Sequence, residues 1–429
     1  MKSTSLAAAT TVVVLAASLA ACSAPGGGDD AAASSITIWH NSADSPAVLD
    51  LYERFEAETG IAVELVDIPS DAFESTTTTK WATGDRPDIL EYHPVKSALL
   101  PLNPAANMQD LSDLPFVEKS GDLYPAMGTV DGVVYAAITG FPSIFGVYYN
   151  KQVLADAGLE PPTSFEDLQS ICDGLAGSGV APIYESGGSA WPTQILPLLY
   201  GSEFNAGDEY GSAVAANERP LTEPDGPFVK GLEAYASLRD NGCFNADATS
   251  GTFENAITAV YDGTAALTAL HSDVYASFLA AAGDDAALLD ETVGFVPVSA
   301  TEPVVAYAGG PIGTFYAPKT GDAAREAAAI QFIEFATGAG YQDLVDAGPA
   351  FPVIDGVTTP DDFSELQLAF KAAYDDGAAV AFNSNIAGFG GFATETTKLL
   401  AGQTTPAEAA DSMQAQVEQA SKAAGLPGW

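Results

Sequence analysis

Apolar and polar positions recur along the chain with two different periods, and the switches between them mark out its elements. Ile36-Thr37-Ile38-Trp39 is a short β-prone run. Asp44 or Ser45 can then cap a helix with Pro46 near its first position. Val48, Leu49, Tyr52 and Phe55 share one face of that helix, and Gly60 stops it. Ala62 to Val66 reads as the next strand. A strand-helix-strand unit predicts a parallel pair joined by a right-handed crossover. In open sheets of that kind ligands bind beyond the carboxyl ends of the strands. The loop from His40 through Asn41 to Asp44 is therefore a candidate binding loop. So is Glu91-Tyr92-His93, directly after the strand Asp88-Ile89-Leu90.

Further on, Gly146 to Tyr149 reads as a strand, and Lys151 to Ala157 as a short helix closed by Gly158 and the pair Pro161-Pro162. Thr163-Ser164-Phe165-Glu166 fits a capping box, with Thr163 accepting from the first turn and Glu166 reaching back. The helix it starts, Phe165 to Ala176, carries the apolar face Phe165, Leu168, Cys172 and Leu175. Ala265 to Leu270 is another strand. The abrupt turns around 148–168 suit a chain that leaves one sheet and begins a second lobe.

The pattern differs at the start, MKSTSLAAATTVVVLAASLAACSAPGGG. Lys2 precedes an apolar stretch, Ala7 to Ala17, too short to span a bilayer, which reads as an export signal. Its end, Leu19-Ala20-Ala21-Cys22, resembles the bacterial lipobox, which implies cleavage and lipidation of Cys22. A two-chain lipid would hold the protein at the outer face of the cytoplasmic membrane. Residues 23–35, rich in Gly, Ala and Ser, read as a flexible tether.

Composition narrows the function. The roughly 400 residues that follow exceed one hydrophobic core, so two domains are expected. The chain has 57 acidic and 15 basic residues, a formal charge of −42, which excludes nucleic acid as a partner. Apart from Cys22 there are two cysteines, Cys172 and Cys243. Export favours a disulfide between them; buried thiols are the alternative for residues on an apolar face. The bond would close a loop of about 70 residues, worth roughly 4 kcal/mol by chain entropy.

Six segments, taken in order, resemble the extracellular solute-binding proteins of ATP-binding-cassette (ABC) importers, in the sugar-binding group typified by maltose-binding protein. They are ITIWHNSADSPAVLDLYERFEAETGIAVELV, GDRPDILEY, VDGVVYAAITGFPSIFGVYYNKQVLADAGLEPPTSFEDL, FENAITAVYDGTAALTALHSD, TVGFVPV and AREAAAIQFIEFATG. The resemblance implies an α/β fold of two lobes, the periplasmic-binding-protein fold, with a ligand cleft and hinge crossings. The crossings are expected near 138–143, 295–298 and 316–320. That gives an N-terminal lobe of 36–141 plus 297–318 and a C-terminal lobe of 142–296 plus 319–429. The implied ligand is a carbohydrate, the implied partner an ABC permease with a separate ATPase, and the implied state a monomer.

A sugar site needs aromatic surface for ring C–H faces, with carboxylates, amides and imidazoles for hydroxyls. The family's motifs place Trp191 and Phe389 as stacking aromatics and Asp44 and Glu91 as polar contacts, with His40 and Asn41 in the same first loop. Core packing is the competing role for Trp191, a plain turn for Phe389, and a helix cap for Asp44. His271 and Asp273 stand where relatives carry a tryptophan, a departure that favours hydrogen bonding and argues against a maltose-like ligand. Gly309 and Gly310 let backbone approach a ligand or hinge, or form a tight turn. Trp81 fits core as well as site. Nothing indicates a cofactor; the three histidines lack close metal spacing, and the hydrolase, phosphate-loop and zinc-protease motifs do not occur. The alternatives are a non-sugar solute on the same scaffold and a surface glycoside hydrolase with a carboxylate pair.

Overall fold

The structure, a computed structural model, describes residues 33–429 apart from 70, 71, 122, 124–126 and 349. The signal segment, Cys22 and most of the tether thus lie outside the described residues.

Strand β1, Ser35–Asn41, leads into the helix Pro46–Thr59. Ser45 caps that helix by accepting the Val48 N–H, and Gly60 ends it at φ 74°. The buried face is Val48, Leu51, Tyr52 and Phe55; Leu49, expected inside, is turned outward. Strands β2, Ala62–Ile68, and β3, Ile89–Glu91, flank β1 in parallel register. After a small hairpin, β4 (Thr129–Val130) with β5 (Val133–Val134), comes β6, Ala136–Ile138.

The chain crosses at 139–142 into β7, Ser143–Asn150, the centre of a second sheet. Its later strands are β8 (Ala181–Ile183), β9 (Ala265–His271), β10 (Val293–Val296), β11 (Ala306–Ala308) and, near the C-terminus, β13 (Ala379–Val380). Strand β9 pairs along one edge of β7, while β10 and β11 share the other edge end to end. Strand β12, Thr314–Tyr316, returns to the first sheet and sits antiparallel between β3 and β6. The first sheet runs β2-β1-β3-β12-β6.

The crossings after the first fall elsewhere than the sequence suggests. Because β11 still pairs with β7, the passage back lies at 309–313 rather than near Phe295–Val298. Residues beyond 318 also stay with the first lobe for longer. Phe332, on the helix Ala323–Ala336, packs against Tyr52, Phe55 and Phe315, and Tyr341 donates to the Thr139 carbonyl. Only with the helix Glu365–Asp375, where Phe370 meets Phe295 at 4.8 Å and Tyr148 at 5.9 Å, is the chain back in the second lobe. An amphipathic helix reads alike on either sheet, so its pattern could not place this segment.

The helix Phe165–Gly174 begins at the expected residue, but its cap lies one residue later than expected. Ser164 is its cap, and Asp167, not Glu166, reaches back to the Ser164 N–H at 3.0 Å. Placing Phe165 at the first helical position turns Leu168 and Cys172 inward. Cys172 and Cys243 form a disulfide, Cα–Cα 5.2 Å, that ties this helix to the chain after the helix Pro227–Asp240. Alternate residues of β7 serve different faces of the second sheet: Tyr148 packs on Phe278, Phe295 and Phe370, in a cluster continuous with the first lobe's core, and Val147 joins the separate cluster on the other face. No described helix is long and apolar enough to cross a membrane.

Candidate functional site

The carboxyl ends of β1 and β3 lie side by side in the first lobe, next to the crossing at 309–313. Glu91, fully buried, accepts the Asn41 N–H on Oε2 at 2.9 Å and the Gly313 N–H on Oε1 at 2.8 Å. It therefore joins the first binding loop to the crossing. Burial pushes its carboxyl well above the usual range, and the neighbouring Asp44 carboxylate adds to the shift. A protonated Glu91 can donate to Asp44 as well as accept from the backbone.

Asp44 lies inside this network. Its Oδ2 is 2.9 Å from His40 Nδ1 and 3.3 Å from the Tyr52 hydroxyl, which donates to it. Nε2 of His40 is 2.7 Å from Asp67 Oδ1. Burial by itself would lower the His40 pKa, but its bond to Asp44 and the two carboxylate charges raise it. Of the two candidate caps, Asp44 and Ser45, it is Ser45 that caps the helix. The Asn41 side chain accepts from the Ala43 N–H and closes the loop. His40, Asn41, Asp44 and Glu91 thus gather as a buried polar floor under the first lobe's edge.

The second lobe brings Trp191, His271 and Asp273 to one place. His271 ends β9, and its ring lies 4.7 Å from the Trp191 ring at 34°. Phe253 supports Trp191 from another side at 5.6 Å. Trp191 and His271 are part-exposed and Asp273 exposed. Asp273 Oδ2 accepts from the Ser143 hydroxyl at the start of β7. A side chain at Gly310 would meet that same pair at 3.4 Å, so the backbone passes directly beside them. Burial lowers the His271 pKa against the pull of Asp273, and the nearby charge of His93 lowers it further.

His93 belongs to the first lobe, so the two lobes meet here. Its Nε2 lies 2.8 Å from Glu74 Oε1 and its Nδ1 3.3 Å from the Gly309 carbonyl. The bond and charge of His93 outweigh burial and lower the Glu74 pKa. A Cβ on Gly309 would lie 2.0 Å from Pro94 Cγ, which explains glycine at that point of the crossing.

Phe389 is not brought to this place. It is 4% exposed and packs among Phe228, Phe382 and Phe392 in the second lobe's core. Its flanking glycines serve the neighbouring C-terminal helix, since a Cβ at Gly388 would sit 2.6 Å from the Gln416 carbonyl. Trp81 is core as well, donating from Nε1 to the Leu102 carbonyl. Glu74, Ser143 and Phe253 are additions that no motif signals; His93 follows a strand end, the one signal that pointed to it.

The arrangement offers an aromatic surface, two imidazoles and carboxylates from two lobes, suited to a ligand with both apolar faces and hydroxyls. Comparisons with known proteins agree with the architecture. A family model described as bacterial extracellular solute-binding protein matches residues 50–372. A putative ABC transporter periplasmic-binding protein, YcjN of Escherichia coli K12, is 24% identical over 217 residues, 48% of this chain and 49% of that protein. The chain thus matches about half the length of that relative. A solved chitin oligosaccharide binding protein superposes with a TM-score of 0.76 at 20% identity, covering 91% of this chain and 99% of the other. RafE in complex with raffinose gives 0.72 at 19% identity, covering 90% and 99%. A Bacillus licheniformis sugar transporter protein in complex with stachyose gives 0.68 at 17%, covering 90% and 99%. At these identities the structural matches establish a shared fold.

Proposed function

The chain belongs to the bacterial extracellular solute-binding proteins, and from that membership we propose that it captures a carbohydrate, an oligosaccharide by preference, for an ABC importer. The open lobes expose the site; a sugar that touches both walls favours the closed state by its differential affinity. The closed form then docks on a membrane permease driven by a separate ATPase, while a lipid on Cys22 keeps the protein at the outer face of the membrane. The observation that carries this reading is the convergence of Trp191, His271 and Asp273 from one lobe with His93 from the other. The raffinose-, stachyose- and chitin-oligosaccharide-binding neighbours support the choice of cargo, and the E. coli relative supports the importer.

Calorimetry and thermal shift with raffinose, stachyose and chitin oligosaccharides test it. At least one is expected to bind and to raise the melting temperature through linkage. Replacing Trp191 with Ala should weaken that ligand about 10- to 100-fold, as loss of a central aromatic contact does. A panel without any binder, or a Trp191→Ala protein of unchanged affinity, would defeat the assignment. Chromogenic glycosides should yield no product; turnover would instead favour the hydrolase.

A further inference from the structure

The loop before Trp191 holds an unusual backbone. Six non-glycine residues among those described have positive φ; five are Asn, Asp or Glu, and the sixth is Ala190. With φ 61° and ψ −58°, Ala190 is the centre of a positive-φ γ-turn, closed by the Trp191 N–H donating to the Ser189 carbonyl at 2.7 Å. Such turns are rare and strained, and alanine has no polar side chain to offset the strain as Asn or Asp can.

The surroundings hold the strain in place. The Ala190 N–H donates to the Gly187 carbonyl at 3.2 Å, and its own carbonyl accepts from Thr193 N–H at 3.1 Å and Thr193 Oγ1 at 2.7 Å. Thr193 is fully buried and bonded to Thr396. Upstream, Gly187 and Gly188 press against backbone: a Cβ there would lie 2.6 Å from the Ala248 carbonyl and 2.5 Å from that of Ser250. The Phe253 N–H donates to Ser189 Oγ at 3.0 Å. Neither side of the turn can move to relax it. Strain kept by over-determined surroundings belongs to sites where geometry matters more than stability, and the residue placed by this turn is Trp191.

We propose that Ala190 is a positioning residue for the ligand site: its strained turn fixes the Trp191 indole against His271 and Phe253, at a cost in folding stability. The inference rests on the reading that Trp191 meets the ligand, but part of its test needs no ligand.

The full chain is labelled with fluorinated tryptophan, and the Trp191 resonance is assigned with Trp191→Phe. Glycine adopts positive φ without strain, so Ala190→Gly should unfold at the same temperature as the parent or about 1–3 °C higher. In that variant the Trp191 resonance should move and sharpen, and raffinose affinity should fall about 3- to 10-fold. The proposal is overturned by an unchanged resonance, or by a variant that melts lower yet binds raffinose as the parent does. If raffinose binds neither protein, the choice of sugar is what fails, and the resonance and melting temperature still decide the role of Ala190.

Discussion

Glu185, just past the end of β8, is 4% exposed, and burial lifts its carboxyl to about 7. Below pH 4.5 the carboxyl is protonated in both the folded and the unfolded chain. As pH rises toward 7 only the unfolded chain releases its proton, so folding loses stability over that window and no more above it. The loss from this one group is at most about 3 kcal/mol. Urea denaturation at pH 5 and pH 8 should show Glu185→Gln losing less stability than the parent across that interval; parallel losses would contradict the assignment. His40 and Glu91, both raised, act in the same direction, so the difference between variant and parent isolates Glu185. Which polar residues lie near the gap was legible from their positions after strands. Their burial was not: Glu91 is closed over by Gly313, far along the chain, and no local pattern contains that contact.

Among the elements, the helix Phe165–Gly174 shows what a disulfide adds to an amphipathic face. Cys172 is already buried among Leu168 and Ile171, so the bond is formed within packed structure. A sequence separation of 71 makes its closure worth roughly 4 kcal/mol by chain entropy. Replacing both cysteines by Ser should remove about 2–4 kcal/mol in urea denaturation while affinity for any sugar that binds the parent stays within about twofold, because the ring and charge partners of Trp191 and His271 are Phe145, Phe253 and Asp273 and not this helix. A large loss of affinity at intact stability would show that the bond shapes the site. The existence of this helix was plain from its apolar spacing. Its cap was not, since Thr163 and Ser164 are both good caps and only the packing of Phe165 chose between them.

At the scale of the molecule, ligand capture depends on how the lobes are joined. The crossing at 309–313 passes between Pro94 and the Ser143–Asp273 pair with no space for a side chain at Gly309. Gly309→Ala should therefore displace the crossing and weaken any sugar that binds the parent about tenfold, with circular dichroism unchanged. Small-angle scattering should show the parent contracting when saturated with a sugar it binds and the variant contracting less. Equal contraction and equal affinity would remove the crossing from the closure mechanism.

The sequence by itself determined several strands and helices of both lobes, a charge of −42 that disfavours nucleic acid, and the candidate loops after the strands, because periodicity, caps and composition are local or additive properties. Only the tertiary structure decided that Phe389 fills a core, that Glu91 fastens the first loop to the crossing, that 319–347 stays with the first lobe, and that Ala190 is strained. Each of those depends on which distant surface a segment packs against, and an apolar face has the same pattern whichever partner covers it.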